Sequence, residues 1–131
     1  MAKKVILELS EIQANTVKVA LEEWFRLRMG QGFDLATDMA FLNYQHDKSR
    51  PEAFNQRIQT RDALHEVVKA MFRVAFGPCG VPNSVPPEVH VASDIWSTLR
   101  WEMSEKDALW DRSPFQMGPE PLPKITVEEV E

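Results

Sequence analysis

Pro51-Glu52-Ala53-Phe54-Asn55-Gln56-Arg57-Ile58-Gln59-Thr60-Arg61-Asp62-Ala63-Leu64-His65-Glu66-Val67-Val68-Lys69-Ala70-Met71-Phe72-Arg73-Val74-Ala75-Phe76 decides the fold. The stretch holds no internal proline or glycine. Its apolar residues Phe54, Ile58, Leu64, Val68, Met71 and Ala75 recur at spacings of three, four, six and seven, which predicts one long amphipathic helix with a buried stripe. Pro51 suits the first turn, where its missing amide costs nothing, and Ser49 is the expected cap. Arg57, Arg61, His65, Lys69 and Arg73 fall at four-residue spacing, which gathers them into a cationic ridge on that scaffold. Asp62 and Glu66 partly neutralise it.

The chain around this helix has 131 residues and a formal charge of −5. Such a length predicts one domain, residues 1–131, able to bury about two thirds of its unfolded surface without staples. A basic ridge in an acidic protein points to an anionic partner. The overall charge repels a polyanionic duplex, so a small anion is expected and DNA is not. The single cysteine, Cys79, closes no bridge within the chain, and a reducing cytoplasm is the expected compartment. No apolar run reaches the ~18 residues of a membrane span. Met1-Ala2-Lys3-Lys4 leads toward a strand rather than a signal-peptide core.

Working toward the N-terminus, Lys4 to Leu9 alternates in polarity as a half-buried strand does. Ser10 with Gln13 is a capping box that starts a first helix, running to about Met29 and closed by Gly30 and Gly32. Val17, Ala20, Leu21, Trp24 and Leu27 are its expected apolar stripe. A second helix is expected from Asp34 to about Tyr44 on Leu35, Met39 and Leu42. Toward the C-terminus, the loop from Gly77 to Pro87 is rigid and can present Asn83 and free amides. Pro86-Pro87 then opens a fourth helix to about Trp110, with Ala92, Trp96, Leu99, Met103 and Trp110 inward. Ser93, Ser97, Arg100 and Ser104 share another face. The segment 112–124 is a Pro-rich loop, followed by a last strand or tail on Ile125, Val127 and Val130. The expected class is therefore α+β and mainly helical, with about four helices and short terminal β-strands.

Catalytic spacings do not stand out. His46, His65 and His90 are scattered away from Cys79, and neither a metal-ligand cluster nor a Gly-rich phosphate loop occurs, so no enzyme activity, metal or cofactor is expected. What the sequence does hold is a recognition set. Arg57, Arg61 and Arg100 offer planar forks for phosphate, Asn83 a partner for a base edge or ribose, and Phe72 or Phe76 a stacking surface. Together these suit a nucleotide. Short terminal strands and the apolar residues Phe115, Met117 and Leu122 predict an oligomer. The competing expectation is a phage or bacterial regulator that binds a protein partner through the tryptophans of the last helix and the tail Glu128-Glu129-Val130-Glu131.

Three motifs add to this reading: Met29-Gly30-Gln31, Val91-Ala92-Ser93-Asp94-Ile95-Trp96-Ser97-Thr98-Leu99-Arg100, and Glu120-Pro121-Leu122-Pro123-Lys124-Ile125. In them the chain resembles the phage Thoeris anti-defence sponge family. The resemblance implies a non-enzymatic phage protein that captures cyclic nucleotide immune signals, glycocyclic ADP-ribose first and cyclic oligonucleotides in some members. It also implies oligomers, from dimer to hexamer, with sites shared between protomers, acting in the host cytoplasm. Arg100 would be the phosphate-binding arginine of the last helix and Asn83 the loop asparagine before it. Arg57 or Arg61 would be the upstream arginine, and Phe76 or Phe72 the stacking aromatic. Trp101, where the family helix can carry an acidic residue after its arginine, is a departure.

Overall fold

The computed structural model describes residues 3–104, 106 and 112–130. Four helices follow one another: α1 (Glu11–Arg28), α2 (Phe33–Ala40), α3 (Pro51–Phe76) and α4 (Pro87–Glu102). Three of them begin where local chemistry dictates. The Ser10 amide donates to Gln13 Oε1 at 2.9 Å and the Gln13 amide donates to Ser10 Oγ at 3.2 Å, so the box satisfies two orphan donors at the start of α1. Pro51 and Pro87 occupy the first turns of α3 and α4. Ser49 is not the cap of α3. Its hydroxyl and amide both donate to Asp47 Oδ1, at 2.7 and 2.9 Å, and Arg50 takes the cap position without a side-chain bond. Those two bonds hold the Asp47 carboxyl below its ordinary value.

The helices associate as two pairs, α1 with α4 and α2 with α3, joined by a lesser contact between α1 and α2. Helices α3 and α4 do not pack on each other. In the first pair Phe25, Val89 and Ala92 form the core, with Leu21, Met29, Val85 and Trp96 around them. Phe25 and Trp96 meet with ring centroids 5.3 Å apart. In the second pair the buried residues are Ala36 and Ala40 of α2 and Val68 and Phe72 of α3. Gly32 matters there, because a Cβ at that position would strike Val68 Cγ1 and lie 3.0 Å from Phe72 Cε2. Gly30, at φ +78°, seats the turn after α1 against Gly80 and Val81 of the loop after α3.

Several expectations are corrected. There are no β-strands among the described residues; residues 3–9 and 121–130 carry no regular structure. The alternation of Val5, Leu7 and Leu9 creates a face, but a strand needs a hydrogen-bonding neighbour and the described residues supply none. Among the described residues the fold is all-helical rather than α+β. Helix α2 stops at Ala40, four residues short of Tyr44, and buries Ala36 and Ala40 while Met39 and Leu42 are exposed. Helix α4 ends at Glu102 with Met103 as its cap. Trp110 lies outside the described residues.

The stripes are rotated as well. On α1, Phe25 is 4 % exposed and Trp24 40 %, with the Arg28 guanidinium lying 5.4 Å from the Trp24 ring centroid. Both faces of α1 are apolar enough to be buried, and the position of α4 selects one. On α3, Val68 and Phe72 are buried, whereas Phe54, Met71 and Ala75 are exposed. The basic residues do not form one straight ridge. Four residues exceed a turn by roughly 40°, so the line from Arg57 to Arg73 winds about 160° around the helix. It begins half-buried against α2 and ends exposed at Arg73. Arg61 pairs with Asp62 at 2.9 Å and Lys69 with Glu66 at 2.6 Å, so neighbouring acids do offset it.

Candidate functional site

Ser93, Trp96, Ser97 and Arg100 recur on α4 at spacings of three and four, and therefore line one side of the helix. The far wall comes from the Pro-rich segment, through Arg112, Pro114, Phe115 and Met117. Between them runs a groove of about 200 Å³. Its two cations are arginines from different parts of the chain. The Arg100 guanidinium lies 5.3 Å from the Trp96 ring centroid, a cation–π contact that limits its swing. Phe115 is 72 % exposed and offers an aromatic face beside it.

Asp94 holds the two walls together. It is 3 % exposed and accepts hydrogen bonds from the Met117 amide at 2.9 Å and the Gly118 amide at 2.8 Å. Gly118 is required for this approach, since an added Cβ would lie 2.9 Å from the Val91 amide nitrogen and 3.0 Å from Val91 Cγ2. The hydroxyls of Ser97 and Thr98 donate back to the Asp94 carbonyl, at 3.1 and 2.8 Å. The Ser97 proton is thus engaged within the helix.

On the other side of Trp96 lies a second hollow of about 180 Å³, whose lining includes Glu22, Glu23, Asp34, Asp38 and Lys18. Burial pushes the Glu22 carboxyl above its ordinary value, helped by a hydrogen bond shared with Asp34 and opposed by Arg26. Arg26 Nε sits 3.0 Å from Asp34 and 3.4 Å from Glu22. This hollow repels anions, so the Arg100 groove is the better anion site of the two. Among the described residues no group of three His, Cys, Asp or Glu could hold a metal ion, and no helix is long and apolar enough to cross a membrane.

The other expected site residues lie elsewhere. Arg57 donates to the Ala40 carbonyl at 3.0 Å and lies 5.7 Å from the Tyr44 ring centroid, so it closes the C-terminus of α2. Arg61 rests 4.9 Å from the Phe33 ring centroid and bonds Asp62. Phe72 is buried, and Phe76 stacks on it at 5.8 Å and 22°. Asn83 is exposed in the loop before α4. None of these five lines the Arg100 groove. Conversely, Arg112 and Asp94 emerge as site residues only in three dimensions. Nothing in the local spacing brings Arg112 to Arg100; the one available signal was a glycine inside a Pro-rich segment, facing a helix with an unexplained acid. No family model matches this chain, and neither a curated protein nor a solved structure does.

Proposed function

We propose that the protein binds and sequesters a cyclic nucleotide immune signal, glycocyclic ADP-ribose or a cyclic oligonucleotide, in the host cell cytoplasm without cleaving it. The observation that carries this reading is the groove shared by Arg100 and Arg112, flanked by Trp96 and Phe115, in a chain of net charge −5. Two guanidinium forks hold phosphate oxygens through charge-assisted bonds, and the aromatic face takes a base. The motif resemblance narrows the anion to a cyclic nucleotide. Asn83, Phe76 and the α3 arginines do not line the groove within the protomer, so a share in it would need an oligomer of two to six copies.

A second reading, a regulator that acts on a protein partner, is favoured by the exposed tail residues Glu128, Glu129 and Val130. One experiment separates the two. The protein is incubated with a signal-rich cell extract, freed of unbound small molecules and denatured, and the released material is analysed by mass. Intact cyclic nucleotide supports sequestration. A linear or cleaved product means catalysis, and an empty protein leaves the partner-binding reading standing.

A further inference from the structure

Helix α3 has two apolar faces and uses one. Val68 and Phe72 turn toward α2, and none of the other helices packs on α3. On the opposite side Thr60, Ala63, Val67, Ala70 and Val74 follow a strict 3-4-3-4 spacing over two heptads, all exposed, with Met71 beside them. Val67 is 58 % exposed, Met71 62 % and Val74 89 %. Such spacing is the seam of a helix-to-helix coil rather than a solvated face. The whole chain has an accessible surface of 10322 Å². A compact monomer of its mass, 15.1 kDa, exposes about 7,100 Å². The difference, roughly 3,200 Å² for one chain, is more than the about 1,000–2,500 Å² that each partner contributes to an obligate interface, and the extended ends supply part of it.

We infer that the outer face of α3 pairs antiparallel with the same face of a second copy, across a two-fold axis between residues 67 and 70. The side chains themselves select this arrangement. Antiparallel alignment about that axis sets Val67 opposite Ala70 of the second copy, and Val74 opposite Ala63. Each of these layers then joins a large residue to a small one. Parallel alignment would stack Val on Val and Ala on Ala, leaving voids at the alanine layers. The flanks agree with the antiparallel register. Glu66 falls beside Arg73 of the second copy on one edge, and Leu64 beside Met71 on the other. A two-fold axis generates each contact twice.

The test is self-association of the full chain, read by sedimentation, with protomer folding followed by circular dichroism. Wild type should sediment at 30 kDa or a multiple, twice the chain mass or more. Val67→Glu should at least halve the mass and leave the helical signal, because Val67 is exposed and is not part of the buried core. Glu66→Arg and Arg73→Glu should each weaken self-association about threefold or more, and the double variant should recover to within about twofold of wild type. The double variant keeps the test decisive if Val67→Glu fails to fold. A monomeric wild type, an unchanged mass for folded Val67→Glu, or charge reversals without mutual rescue would each overturn the inference.

Discussion

The carboxylate of Asp94 on α4 accepts both the Met117 and the Gly118 backbone amides, at 2.9 and 2.8 Å, across 24 residues of sequence. A buried acid thereby fixes a Pro-rich segment that has no regular structure of its own. Asp94→Ala leaves two amide donors without partners and should cost about 2–4 kcal/mol. In limited proteolysis the variant should be cut between residues 112 and 118 before the helices are touched. Wild-type cleavage rates there would show that the bonds do not hold the segment.

Gly32 plays the matching part between α2 and α3, where the Val68 and Phe72 side chains occupy the space a Cβ would need. Gly32→Ala should therefore destabilise the fold by about 1–3 kcal/mol through forced repacking. Denaturant midpoints measure this directly. Gly77→Ala is a useful control, since its added Cβ meets nothing within 4 Å, although its φ of +103° carries a separate backbone cost.

Arg100 and Arg112 reach the same groove from different segments, so their effects on capture should be separable from folding. Each Arg→Ala variant should weaken nucleotide capture roughly ten- to hundredfold, the value of one charge-assisted phosphate contact. Arg100→Lys should recover only part of that loss, because an ammonium cannot present the two parallel donors of a guanidinium. Equilibrium dialysis against the released ligand reads all three. Full capture by both alanine variants would remove the groove from consideration.

Glu22 gives the pH dependence. Its folded-state acidity is weakened by burial and by the bond to Asp34, so the folded protein favours the neutral carboxyl. The stabilising contribution is complete below the ordinary value of 4.5 and is lost as pH rises through the raised folded value. Glu22→Gln imitates the neutral acid. It should be more stable than wild type at about pH 7 and indistinguishable from it at about pH 3.5. The reverse order in urea unfolding at the two pH values would show that the pair with Arg26 outweighs burial.

Local chemistry by itself determined where α1, α3 and α4 begin and that the described residues form four helices. The Ser10–Gln13 box, the prolines at 51 and 87, and Gly77 after Phe76 act within one turn, and a short peptide window contains every atom involved. Spacing also placed Ser93, Ser97 and Arg100 on one face of α4, because α-helical geometry fixes which residues share a side. The choice between competing faces was beyond it. Trp24 and Phe25, or Met71 and Phe72, are adjacent apolar residues on different sides of one helix, and only the partner helix selects which is buried. The absent strands have the same origin, since alternation cannot provide a hydrogen-bonding neighbour. Arg112 joins Arg100, and Arg57 becomes a helix cap instead of lining that groove, through tertiary contacts: the Asp94 bonds to residues 117 and 118, and the reach from α3 to Ala40. Contacts across 17 to 24 residues leave no trace in local periodicity, and so they belong to the folded structure alone.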